Sequence, residues 1–79
     1  MNTETEARPV AVAVQVDGPF SNQNRDGDEV PEWTVCVIDA DGDPIGTVYR
    51  CAAYANARGL ALRMARDRRL ECVDDSTPE

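Results

Sequence analysis

Histidine and lysine are both missing from this 79-residue chain. Without histidine it lacks the commonest general base, the usual partner of a Ser or Cys nucleophile, and the commonest metal ligand. No Asp or Glu lies in an apolar stretch that would raise its pKa for acid catalysis. The chain is therefore expected not to be an enzyme. Three cysteines, Cys36, Cys51 and Cys72, are too far apart to form a C-x-x-C pair, which leaves no seed for a zinc site or a redox motif. They read as structural thiols in a reducing compartment, where free cysteine behaves as a small core hydrophobe. The alternative is a reactive Cys51 near a helix start, where the dipole favours thiolate. No run reaches the roughly 18 apolar residues of a membrane span, since "VAVAVQV" is short and alternates. The start, "MNTETEARP", is acidic, unlike a secretory signal. A cytoplasmic protein with no cofactor and no membrane contact is expected.

What is present fits one small domain, residues 1–79, with frayed ends at 1–7 and 74–79. A chain of this length buries only about 60% of its unfolded surface, so no deep cleft is expected. "RPVAVAVQVD" places Val10, Val12, Val14 and Val16 on one face at the period of a half-buried strand. Residues 18–32, "GPFSNQNRDGDEVPE", show no period and read as a long acidic loop with Phe20 at its base. "WTVCVID" and "IGTVYRC" make two further strands. From about Ala52 the period becomes helical, with Ala53, Ala57, Leu60, Ala61 and Met64 on one face. Asn56, Arg58, Arg63, Arg66 and Arg69 take the other side, and Leu62 lies off the apolar face. "LECV", 70–73, is an optional last strand. The expected fold is α+β, an antiparallel three-stranded (optionally four-stranded) sheet with one helix packed on a face, β-β-β-α(-β).

"DADGDPIG", 39–46, has the Asp39, Asp41, Asp43 spacing that opens a calcium loop. Position six of such a loop is normally Gly and is Pro44 here; position twelve should be a bidentate Glu and is the cation Arg50. The stretch also joins strands rather than helices. It reads as a three-residue turn, Ala40-Asp41-Gly42, with Gly42 left-handed in a bulge. That register sets Val37 opposite Ile45 and Trp33 opposite Tyr49; a two-residue turn would set Trp33 opposite Arg50 instead. No metal is expected.

Charge is unevenly spread. Residues 17–43 hold eight acids and one Arg, while 44–69 hold six Arg and one Asp. One account is compositional: an all-Arg, Asp-rich chain fits a GC-rich or salt-adapted genome, and high net charge keeps proteins soluble. The functional account is mimicry of nucleic acid. Asp39, Asp41 and Asp43, as alternate residues of an extended strand, would form a row spaced by roughly 6.7 Å. Asp26, Asp28, Glu29 and Glu32 on the loop would extend it, attracting a cationic groove made for phosphates. Direct contact of the helix arginines with nucleic acid is opposed by the overall acidity.

In size, acidity and strand-strand-strand-helix order the chain resembles the small inhibitors that phages and mobile elements carry, notably the anti-CRISPR proteins. The resemblance implies a protein partner, a CRISPR surveillance complex or effector blocked at its DNA- or PAM-binding surface. The contact would fall to the seven acids just named. The alternative is an antitoxin-like or accessory subunit, bound through an apolar contact at Leu62 or the Trp33 strand and little affected by salt.

Overall fold

The computed structural model describes residues 10–77; residues 1–7, expected to fray, lie outside that range. One helix packs on one face of a four-stranded sheet, an α+β arrangement. The elements are β1 (Ala13–Gln23), β2 (Glu29–Ile38), β3 (Pro44–Cys51), α1 (Tyr54–Arg68) and β4 (Glu71–Asp74). The sheet order is β3-β2-β1-β4. β1, β2 and β3 are antiparallel neighbours, whereas β4 lies parallel to β1, with Ala13 opposite Glu71 and Val16 opposite Asp74. The all-antiparallel sheet expected from the sequence is corrected here. A 15-residue helix at about 1.5 Å per residue carries the chain back along the sheet by roughly 22 Å. The last strand therefore starts from the same end as β1 and β3 and runs with them.

Alternation explains the core. Val14 and Val16 of β1 and Trp33, Val35 and Val37 of β2 are buried on the face under α1. Val10 and Val12, assigned by sequence to the same face, are exposed because β1 starts only at Ala13. Ala57, Ala61 and Ala65 fill the helix side. They are small enough to let α1 lie close to the sheet, with Leu60 and Met64 at the margin. Burying each of the three valines fully, Val14, Val16 and Val35, contributes about 1.5–3 kcal/mol. A small second cluster, Ala13, Cys36 and Ile38 with Val73, lies on the other face.

Two bulges set the register. Two residues of β1, Gly18 and Pro19, stand opposite Trp33 alone. Gly18 has φ +127°, and a Cβ there would come within 2.9 Å of the Glu32 carbonyl and 3.1 Å of the Trp33 ring. A side chain there would press on the indole, which is buried. In β3, residues 46–48 stand opposite Cys36 alone, with Gly46 at φ +76°. Val37 does pair with Ile45, but beyond the bulge Trp33 pairs with Cys51, and Tyr49 with Val35. The expected Trp33–Tyr49 pairing fails because an unbroken ladder was assumed.

Two further corrections concern the ends of strands. Residues 18–32 are not a long loop: β1 runs to Gln23 and β2 starts at Glu29, leaving five residues between. Nor does the chain fray from residue 74. Asp75 N–H donates to Val16 O at 2.9 Å, Thr77 N–H to Gly18 O at 2.9 Å, and Trp33 Nε1–H to Thr77 O at 3.3 Å. Residues 78 and 79 lie outside the described range.

Candidate functional site

The two hairpin turns share one construction. In Asn24–Asp28 the Asn24 N–H donates to Asp28 O, and the Gly27 N–H to Asn24 O, both at 3.0 Å. In Asp39–Asp43 the Asp39 N–H donates to Asp43 O, and the Gly42 N–H to Asp39 O, again at 3.0 Å. The first side chain of each turn accepts from the third and fifth backbone N–H groups, at 2.9 and 3.0 Å in both. Gly27 and Gly42 both have φ +86°, a left-handed conformation that glycine adopts without a Cβ penalty. The sequence signal is the repeated pattern "NRDGD" and "DADGD", which periodicity alone does not register. Asn24 and Asp39 are thus structural, while Asp26, Asp28, Asp41 and Asp43 hold exposed carboxylates.

This geometry revises the acidic row. Asp39, Asp41 and Asp43 are not spaced along a strand; their carboxylates gather around one turn, within 4.8 Å of one another. One oxygen of Asp39 already accepts two backbone hydrogen bonds. Nor do the two acidic groups join. Asp26, Asp28 and Glu29 sit at one end of β2 and Asp39, Asp41 and Asp43 at the other, and ten strand residues at about 3.3 Å each separate them by roughly 30 Å. Glu32 lies in β2, where it accepts from Asn22 Nδ2 at 3.3 Å.

The first acidic group is carried on an arm. β3 pairs with β2 only from Trp33 onward, and β4 with β1 only from Ala13 to Val16. Beyond Gly18 the two strands of the β1–β2 hairpin pair only with each other among the described residues, and every residue from Pro19 to Glu29 is exposed. The molecule is correspondingly long, 53 × 26 × 17 Å. Phe20 is 47% exposed on this arm, beside a shallow hollow that it forms with Pro19, Ser21, Glu29, Val30 and Pro31.

A carboxylate that no sequence pattern singles out, Asp74, has the most partners among the described residues. Asp74 Oδ2 accepts from Tyr54 Oη at 2.6 Å and from Arg58 Nη1 at 3.3 Å. Its Oδ1 accepts from the Ser76 N–H at 3.0 Å and from the Ser76 hydroxyl. The Ser76 and Tyr54 hydroxyls, helped by the Ser76 N–H and Arg58, hold Asp74 below the usual carboxylate range. Tyr54 also meets the Trp33 ring edge-on at 6.2 Å. Tyr54 and Arg58 are one helical turn apart, but the approach of Asp74 follows from the parallel β4, which no local pattern announces.

Among the described residues Arg58–Asp74 is the one ion pair. Arg63, Arg66, Arg68 and Arg69 are exposed at the outer side or end of α1, with Leu62 46% exposed between them. Arg69 is not on the helix: it is the left-handed cap residue, φ 58°. Cys36 is buried, and burial together with Asp17 pushes its thiol pKa up. Cys72 is also raised, by burial first. Cys51 ends β3, opposite Trp33 and three residues before α1. No helix among the described residues is long and apolar enough to cross a membrane.

Compared with family models, curated proteins and solved structures, the chain matches none of them. Any functional reading therefore rests on the geometry above.

Proposed function

We propose that this is a non-enzymatic inhibitor that binds a nucleic-acid-binding protein through its acidic turns, as an anti-CRISPR protein blocks a CRISPR effector by charge mimicry. The observation that carries this reading is the paired turns. Each holds two aspartates outward on a backbone locked by four hydrogen bonds, and none of the four has a cation within salt-bridge distance among the described residues. Fixed, unneutralised carboxylates suit a cationic groove, because they lose little freedom on binding and steer association.

The two turns are tested separately. Asp26→Lys, Asp28→Lys and Glu29→Lys form one variant; Asp41→Lys and Asp43→Lys form the other, with Asp39 kept because it holds its turn. Binding to purified, guide-loaded CRISPR effector complexes is measured at low and high salt, with circular dichroism to confirm folding. At least one variant is expected to weaken binding by about tenfold or more, a 1.4 kcal/mol loss. If both bind within twofold of the parent, mimicry is wrong.

A second reading has its own support. The exposed Leu62 beside Arg63 and Arg66, which have no ion-pair partner among the described residues, suits an antitoxin-like or accessory subunit that binds through its helix, its acidity reflecting composition alone. Leu62→Asp would then abolish binding, and salt would matter little. Trp33 is only 2% exposed, so its substitution reports on the core and not on an interface.

A further inference from the structure

We propose that the β1–β2 arm is an insertion element: it enters a cleft of the partner protein, Phe20 fills an apolar pocket there, and the arm's carboxylates face an Arg/Lys rim. This rests on the inhibitor reading and assigns it to one end of the molecule and to one anchoring side chain.

The arm is built to be recognised by its side chains. An isolated two-stranded hairpin is marginal in water, and this one is held by its turn, its ladder and the Asn22–Glu32 hydrogen bond. Phe20 joins the ladder through its backbone, but its side chain makes none of these hydrogen bonds; it is the arm's one aromatic residue and lies half in solvent. The register sets Phe20 opposite Glu32 and Asn22 opposite Val30, so Phe20, Asn22, Val30 and Glu32 share one face.

Strand addition is disfavoured. Counting back from the hydrogen-bonded Asn24–Asp28 pair, Pro31 falls where the backbone nitrogen of β2 points to the free edge. It has no N–H to offer there, and Pro19 opens the other strand equally without a donor; such prolines blunt an edge. What remains for a partner is an exposed aromatic side chain on an acidic arm, and aromatic anchors are typical interface hot spots. Glu32 stands opposite Phe20, while Glu29, Asp28 and Asp26 lie further toward the tip; with Arg25 the arm carries a net −3, so the complementary rim is cationic. Nucleic acid, itself anionic, is excluded as the occupant.

The test measures dissociation constants of the full chain for purified, guide-loaded CRISPR effector complexes, with and without target DNA. Three variants are compared: Phe20→Ser, Phe20→Trp and Val48→Ser. Val48 is comparably exposed, 41%, but lies on β3. Phe20→Ser is expected to weaken binding about 30-fold or more, with Phe20→Trp and Val48→Ser within about fivefold, and target DNA competing. Because Phe20 is already exposed, the urea midpoint of Phe20→Ser should match that of the parent. If the lysine variants lose binding but Phe20→Ser does not, insertion is wrong and charge mimicry stands. If Phe20→Ser instead dissolves a dimer of the protein alone in sedimentation equilibrium, the occupant is a second copy and the proposal fails. If no complex binds at micromolar concentration, the inhibitor reading falls and takes this inference with it.

Discussion

Asn24 and Asp39 do the same job in the two hairpin turns, and only Asp39 brings a charge to it. Its carboxylate stands within 4.8 Å of those of Asp41 and Asp43. At that distance each like-charged pair costs about 0.9 kcal/mol in water, before screening by salt. Asn24 demonstrates that an amide oxygen suffices for the cap. Asp39→Asn is therefore expected to raise stability by about 0.5–1 kcal/mol at low salt, with the gain shrinking as salt rises. Asp39→Ala removes the repulsion and the cap together, and losing a capping side chain of this kind typically costs about 1 kcal/mol. Its stability should fall below that of Asp39→Asn by roughly that amount, read from urea midpoints. A more stable Asp39→Ala would mean that the side-chain bonds to Asp41 and Asp43 contribute nothing.

α1 shows at the element scale how little of its stability is local. It starts from Ala53, extended at φ −132° and ψ 138°, with no side-chain cap and no acid in its first turn. Gly59 adds about 1 kcal/mol of cost against alanine in mid-helix. Its C-terminus is better finished: the Arg69 N–H reaches Ala65 O and Arg66 O, the Leu70 N–H reaches Ala65 O at 2.8 Å, and Arg66 and Arg68 complement the dipole. The helix is held mainly by the burial of Ala57, Ala61 and Ala65. Ala53 is exposed and already has the backbone of a capping residue. Ala53→Ser is therefore expected to stabilise the domain by about 1 kcal/mol. Thermal unfolding followed at 222 nm checks it, and an unchanged midpoint would show that the first turn does not limit stability.

At the scale of the whole molecule, Asp74 joins parts that are distant in sequence: Tyr54 and Arg58 of α1, β4, and Ser76 of the tail. Its folded pKa is held below the ordinary value of 3.8 by the Ser76 and Tyr54 hydroxyls. Its stabilising contribution is therefore complete above the unfolded pKa of about 3.9 and disappears as pH falls through the lower folded value. Asp74→Asn is expected to cost stability near pH 7, by about 1.5–3 kcal/mol as for hydrogen bonds to a charged group. The gap between parent and variant should begin to narrow below the unfolded pKa of about 3.9 and close only below the lower folded value, where both are neutral at this position. Urea midpoints at pH 7, 5 and 3 decide it: a gap that stays constant would mean that Asp74 contributes through its shape alone.

Local chemistry was legible in the sequence because it depends on neighbours along the chain. The apolar face of α1 from Ala57 on, the inward Val14 and Val16 of β1, the left-handed Gly42 and the Val37–Ile45 pairing all follow from side chains within a few residues of one another. Ala53, Val10 and Val12, expected on the same faces, are instead exposed outside their elements. The exposure of Asp26, Asp28, Glu29, Asp41 and Asp43 follows from polar, turn-forming neighbours. The arm gives no strand signal in the sequence because hydrophobic periodicity reports burial, and a two-stranded ribbon with both faces exposed has no period to show. Only the tertiary structure decided that the two acidic groups stand at opposite ends of β2, that β4 runs parallel to β1, and that Asp74 closes on Tyr54 and Arg58. Each of these depends on where the helix returns the chain, and that is set by packing across the sheet rather than by any residue's own neighbours.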